Sequence, residues 1–247
     1  MTGANDRVYI HEFIEIRGHH RAAYLHHMTA NWSPTAQVER GQLCYGVWAL
    51  LGSTGPWPRT VNIWEEAGWQ GLARSFADEA VGPGAQDPRL ERWWARAADF
   101  RRGGYDRILL PAPWTRTSAQ LCADGVTGAV YAHELVKVRP GSAAELLERA
   151  RELAAPALGR FGWELAGAFT TAMANDDEAL LLWAIDTWAH WADAEAAHCR
   201  DDDLVSWRSG LHDIVSEWQR ILLVDAPLSP FRTLRQPSVD DRTDWND

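Results

Sequence analysis

Residues 8 to 17 read Val-Tyr-Ile-His-Glu-Phe-Ile-Glu-Ile-Arg, and residues 130 to 139 read Val-Tyr-Ala-His-Glu-Leu-Val-Lys-Val-Arg. Val, Tyr, His, Glu and the closing Arg recur in place, and most other positions exchange one apolar residue for another. Each copy is rich in β-formers and holds neither Gly nor Pro, which predicts a strand. A repeat constrains the fold more than local propensity does. Two copies of one module must fold alike and then bury whatever face each leaves bare.

Further anchors recur in the same order. Trp64 with Trp69 matches Trp183 with Trp188, and Arg107-Ile108-Leu109-Leu110 aligns with Arg220-Ile221-Leu222-Leu223. Ala112-Pro113 matches Ala226-Pro227, and Arg116-Thr117 matches Arg232-Thr233. In the first copy the pattern predicts a strand over 8–17, a helix over 19–32 closed by Ser33-Pro34, and strands over 44–51 and 60–65. Helical pieces follow over 69–80 and 89–100, the second ended by Gly103-Gly104, and then a strand over 106–110. The second copy predicts a strand over 130–139 and a helix from the capping box Ser142/Glu145 to 158. Strands over 163–173 and 179–185, helices over 188–199 and 204–219, and a strand over 220–224 complete it. Each copy is thus β-α-β-β-α-β, the ferredoxin-like unit.

The expected divisions are a first half over 8–117, a linker over 118–129, a second half over 130–233 and a disordered acidic tail over 234–247. One ferredoxin-like unit covers a single sheet face with helices. Two units in one chain can place their bare faces together, giving an α+β fold: an intrachain pseudo-twofold barrel. A cavity lined by aromatic residues of both halves is expected between the sheets.

The formal net charge of −10 argues against a nucleic-acid surface. Lys137 is the only lysine, which leaves little scope for Schiff-base chemistry. Cys44, Cys122 and Cys199 are odd in number and widely spaced, as expected of free thiols in a reducing cytosol. No apolar run is long enough to span a membrane, and the polar N-terminus lacks a signal-peptide pattern, so a cytoplasmic protein is expected. No phosphate loop, serine elbow or Cys/His dyad is visible. The 15 Trp fit either an aromatic-lined cavity or a ring-filled core.

Along the repeated strand Tyr9, His11 and Phe13 share one face, as do Tyr131, His133 and Leu135. Glu12 and Glu134 fall on the more apolar phase, where a carboxylate can serve as acid or base near neutrality or form a structural ion pair. His11 and His133 are candidate bases by their intrinsic pKa, or pins of the twofold packing. His26 and His27 belong to a first helix that also carries His19 and His20, whereas its counterpart carries no histidine. His20 and His27 would lie about 10 Å apart along that helix, too far to share a metal. Trp48, Trp64 and Trp183, with Tyr9, Tyr24 and Tyr131, are candidate substrate-binding walls.

The 8–17 strand, the Pro140-Gly141 helix start, the paired Trp positions and the Asp87-Pro88-Arg89-Leu90-Glu91-Arg92-Trp93 stretch resemble the NIPSNAP family of the dimeric α+β barrel superfamily. The resemblance covers residues 8–117 and again 130–233. The first half departs from it where Gly18-His19 replaces Pro140-Gly141. It implies the fold, and a superfamily range of cofactor-free monooxygenases, isomerases, cyclases and haem enzymes. The expectation is an enzyme acting on a small hydrophobic or aromatic molecule by acid/base chemistry, as isomerase, cyclase or lyase, or by cofactor-free oxygenation. No metal or cofactor is expected, with haem left open. The alternatives are a non-catalytic binder of a hydrophobic ligand or haem, and a partner-binding protein; a homodimer is left open.

Overall fold

The computed structural model describes residues 4–82 and 84–244. The strands are β1 (Val8–Ile16), β2 (Leu43–Leu50), β3 (Arg59–Glu66), β4 (Arg101–Pro111), β5 (Val130–Val138), β6 (Trp163–Thr171), β7 (Glu178–Ile185) and β8 (Val215–Asp225). They close into one barrel in the order β1-β3-β2-β8-β5-β7-β6-β4, every pairing antiparallel. Closure removes the sheet edges that each half would otherwise expose.

The halves repeat down to their irregularities. β1 and β5 both shift register near their ends, at Glu15/Ile16 and Lys137/Val138. β2 and β6 both bulge, at Cys44/Gly46 and Leu165/Gly167. The seams are equivalent too: β2 joins β8 through Trp48↔Asp225, and β4 joins β6 through Pro111↔Phe169.

The first helix does not stop at Ser33-Pro34. It runs as α1 (Arg21–His26), a π-helical stretch (His27–Trp32) and α2 (Ser33–Arg40). Pro34 closely follows the π-helical stretch, and the helix continues past it without the N–H that proline lacks. The second half does the same with α6 (Ala143–Arg149), a π-helical stretch (Ala150–Ala154) and α7 (Ala155–Gly159), and Pro156 likewise follows its π-helical stretch. The remaining large helices are α3 (Gly68–Glu79), α4 (Glu91–Phe100), α8 (Trp188–Ala197) and α9 (Asp202–Ser209). β4 and β8 are longer than their apolar cores suggest. Gly103-Gly104 lies inside β4 rather than ending a helix, and Val215–Gln219 is strand rather than helix.

The 118–129 segment is no open linker. It contains α5 (Ser118–Ala123), started by a Thr117/Gln120 capping box, and buries Leu121 and Val126 against the barrel core. Of the acidic tail over 234–247, expected to be disordered, residues 234–244 are seated on the first half, and 245–247 lie outside the described residues. Gln236 bonds the backbone of Cys44, Gln37 donates to the Pro237 carbonyl, and Asp244 meets His26 and Asn31.

Side-chain phase decides what lies inside. Tyr9, Phe13, Tyr45, Trp48, Tyr131, Phe169 and Phe231 fill the barrel with edge-on and tilted ring contacts. The space between the sheets is therefore packed, and the expected cavity is not there. Val8, Ile14, Val130, Val136 and their neighbours on the other phase meet the helices, forming two outer cores. No helix among the described residues is long and apolar enough to cross a membrane.

Candidate functional site

The main cavity lies outside the barrel, between the first half's sheet and its helices. Its volume is about 640 Å³. The aromatic walls are Trp32 from the π-helical stretch, Trp64 from β3, Phe76 from α3, and Trp93 and Trp94 from α4. The rim takes Thr171 to Met173 and Asn175 from the second half. α4 supplies its tryptophans as a stack: Trp93 lies 4.8 Å from Trp94, edge to face, and 4.7 Å from Trp32.

On the sheet floor stand Glu12 of β1 and Asp106 of β4, cross-strand partners in register. Glu12 Oε2 accepts bonds from Asn62 Nδ2 at 2.8 Å and Trp64 Nε1 at 2.9 Å. Tyr24 lies behind this pair, its hydroxyl 2.9 Å from Asn62 Nδ2. Burial, and then the Asp106 charge, push the Glu12 carboxyl above its ordinary range, against the two hydrogen bonds that favour its ionised form. Burial raises Asp106 as well, with Arg101 opposing. Asp106 is nonetheless exposed to solvent, so burial holds chiefly the Glu12 carboxyl toward its protonated form, and the facing Asp106 charge adds to that.

The second half carries a different arrangement at the equivalent place. Glu134, the counterpart of Glu12, faces Arg220 in register. Arg220 Nε and Nη2 both lie 2.6 Å from Glu134 Oε1, and Trp183 Nε1 donates to Oε2 at 3.1 Å. Arg220 also holds Glu195 at 2.7 Å and lies over the Trp163 ring. This is a satisfied ion pair under a packed helix layer. The register corrects the sequence alignment by one residue. Leu109 and Leu223 both pair with the strand tyrosines Tyr9 and Tyr131, so Asp106, not Arg107, is the partner of Arg220.

Of the residues expected from sequence, Glu12 and Trp64 line the cavity. His11 and His133 do not. They meet at the barrel centre with Nε2 atoms 2.9 Å apart, both fully buried. Burial lowers both rings, His133 to about 3. Two neutral imidazoles with complementary tautomers fit that contact; no proton traffic with a ligand reaches it. His26 is on the outer side of its helix, 2.9 Å from Asp244. His27 stacks on the far side of Trp93, its centroid 4.8 Å away, and burial lowers it to about 4. Glu134 and Trp183 are bound to each other. Tyr9, Trp48 and Tyr131 belong to the barrel filling, Tyr9 against Glu65 and Tyr131 against Asp225. Trp93 and Trp94 read from the sequence as helix packing, and Asp106, Arg101 and Trp32 carry no sequence signal of their own; aligning the halves on Ala112-Pro113 and Ala226-Pro227 sets Asp106 opposite Arg220.

The lining does not match a haem pocket. It holds no His, Cys or Tyr, only the thioethers of Met28 and Met173, whereas haem iron is normally held by imidazole, thiolate or phenolate. Among the described residues no cluster of His, Cys, Asp and Glu could hold a metal.

No protein-family profile matches the chain, and no curated protein matches it. Solved structures do. An anthrone oxidase-like protein is 10% identical, with a TM-score of 0.60, over 90% of this chain and 92% of that one. A candidate monooxygenase from Lactobacillus acidophilus is 12% identical, with a TM-score of 0.57, over 90% of this chain and 95% of that one. A NIPSNAP domain protein from Burkholderia xenovorans is 15% identical, with a TM-score of 0.34, over 38% of this chain and 92% of that one. At these identities the likeness is one of fold: the ferredoxin-like α+β barrel.

Proposed function

We propose that the protein is an enzyme that takes a proton from a small aromatic molecule bound among Trp32, Trp64, Trp93 and Trp94, with Glu12 as the base and Asp106 facing it. The observation that carries this reading is the exchange of Arg220 for Asp106. A binder that only sequesters an apolar ligand gains nothing from facing a desolvated Glu12 with a second carboxyl where the other half has an arginine. A base with a raised pKa gains driving force for proton abstraction.

Glu12 is held by Asn62 and Trp64, so its orientation is fixed before the ligand arrives. The indole rings would grip a flat molecule and exclude water, which strengthens every charge interaction inside. The anion formed can reprotonate at another carbon, an isomerisation, or be captured by dioxygen without a cofactor. With anthrone as the substrate the second course balances as C14H10O plus O2 giving anthraquinone, C14H8O2, and water. The ring-methylene proton goes to Glu12, the carbanion is oxidised and dioxygen is reduced.

The test uses the purified full-length protein with 1-naphthol as a binding probe and anthrone under oxygen as a turnover probe. The expected result is quenching of tryptophan emission by naphthol, and anthraquinone formation that falls at least a hundredfold in Glu12→Gln while naphthol still binds. Equal turnover in Glu12→Gln, or no naphthol binding by either protein, would overturn the reading.

A further inference from the structure

A second recess adjoins the aromatic cavity and shares a wall with it. Its volume is about 400 Å³, and Arg17, Arg101, Arg102, Gly104 and Asp106 line it. Arg101 and Asp106 line both spaces. Arg101 lies over the Trp94 ring at 5.0 Å, so its guanidinium is held at the partition.

Among the described residues none of Arg17, Arg101 and Arg102 forms an ion pair. That is unexpected in a chain of net charge −10, where acids are the commoner surface charge. Of the nearby acids, Glu15 pairs with Arg59 and Asp99 with Arg96, and Asp106 shares the wall with Arg101 without forming a close pair.

The second half again supplies the contrast. The positions of Arg101, Gly104 and Asp106, read from the register with β1, correspond to Val215, Trp218 and Arg220 in the register with β5. Trp218 stands edge-on to Trp207 at 5.7 Å, whereas Gly104 has no side chain and lines the recess. Ser216 takes the place of Arg102 in the chain. The recess and its positive charge are therefore particular to the half that keeps the cavity.

We propose that this recess binds an anionic group, carboxylate or phosphate, carried on a short tail by the aromatic molecule whose ring fills the cavity. The inference rests on the proposed aromatic site and narrows its substrate to an aromatic acid. Arginines suit either oxyanion through bidentate N–H donation. Asp106 is the one carboxyl on the recess wall, and the Arg101 guanidinium on the same wall offsets its charge.

The experiment compares 4-(1-naphthyl)butanoate with 4-(1-naphthyl)butan-1-ol by quenching of tryptophan emission in the full-length protein at low salt. The acid is expected to bind about tenfold more tightly than the alcohol, equivalent to about 1.4 kcal/mol. In the Arg17→Ser/Arg102→Ser variant that preference should fall below twofold while the alcohol binds as before. The phosphate monoester of the same alcohol decides which anion the recess prefers, the tighter ligand naming it. Equal binding of acid and alcohol by the unaltered protein, or a preference that survives the double substitution, overturns the anion site yet leaves the aromatic site standing. Failure of both naphthyl compounds to bind overturns the aromatic site itself.

Discussion

The Nε2 atoms of His11 and His133, equivalent residues of the two halves, lie 2.9 Å apart, so the pseudo-twofold axis passes through their contact. An approach that close needs one nitrogen to donate and the other to accept, and it fails once both rings are protonated. Burial lowers both pKa values, His133 to about 3. The sign follows directly: a group depressed on folding contributes stability above its unfolded value, near 6.5, and loses it as pH falls toward the folded value. The protein should therefore lose up to about 1.4 kcal/mol per buried histidine for each pH unit below 6.5. Chemical denaturation between pH 7 and 4 measures this slope. His133→Gln should reduce it while lowering stability at pH 7.

The two strand glutamates should answer the same substitution with opposite sign. Glu134→Gln strips the charge that Arg220 is paired with and should destabilise the protein by about 3 kcal/mol, as breaking a buried pair does. Glu12→Gln relieves a desolvated carboxyl beside Asp106 and should raise stability at pH 7 by roughly 1 kcal/mol. Because the Glu12 pKa is raised, the gain should vanish as pH falls below the unfolded carboxyl value. Paired thermal melts at pH 7 and pH 4 would show it.

Asp106→Arg copies Arg220 into the first half. The new guanidinium would reach Glu12 as Arg220 reaches Glu134, filling the cavity floor. The expected outcome is a higher melting temperature together with complete loss of naphthol quenching. A variant that still binds naphthol would place the ligand elsewhere.

Gly104 and Gly103 should differ sharply in tolerance. A Cβ on Gly104 would meet the Phe13 carbonyl oxygen at 2.2 Å, while one on Gly103 meets nothing within 4 Å. Gly104→Ala should cost about 1–3 kcal/mol, and Gly103→Ala should stay within about 0.5 kcal/mol of the parent, by urea denaturation.

The barrel could be read from the chain because the anchors of both copies sit on strands, where a period of two leaves little freedom of phase. The ends of β4 and β8 could not. Gly103-Gly104 resembles a turn when the neighbouring strand that holds it is unseen, and Val215–Gln219 is too polar for a core strand. Pro34 reads as a stop by its own chemistry, and the π-helical stretch before it leaves no mark in the sequence. At the site, the phase of β1 pointed to Glu12, but the histidines drew attention by intrinsic pKa, a solution property that burial reverses. The Arg107/Arg220 match hid Asp106, since a one-residue slip aligned two arginines of different roles. Trp93 and Trp94 read as packing because a wall and a core are made of the same rings.

The exchange of Trp218 for Gly104 carries a consequence for stoichiometry. In a homodimer of single modules every substitution appears twice, so an opening made in one copy weakens both. Joining the copies in one polypeptide breaks that constraint: one lobe can stay solid and hold the barrel closed while the other is hollowed out. A titration should therefore saturate at a single ligand per chain, with the solid lobe contributing rigidity alone.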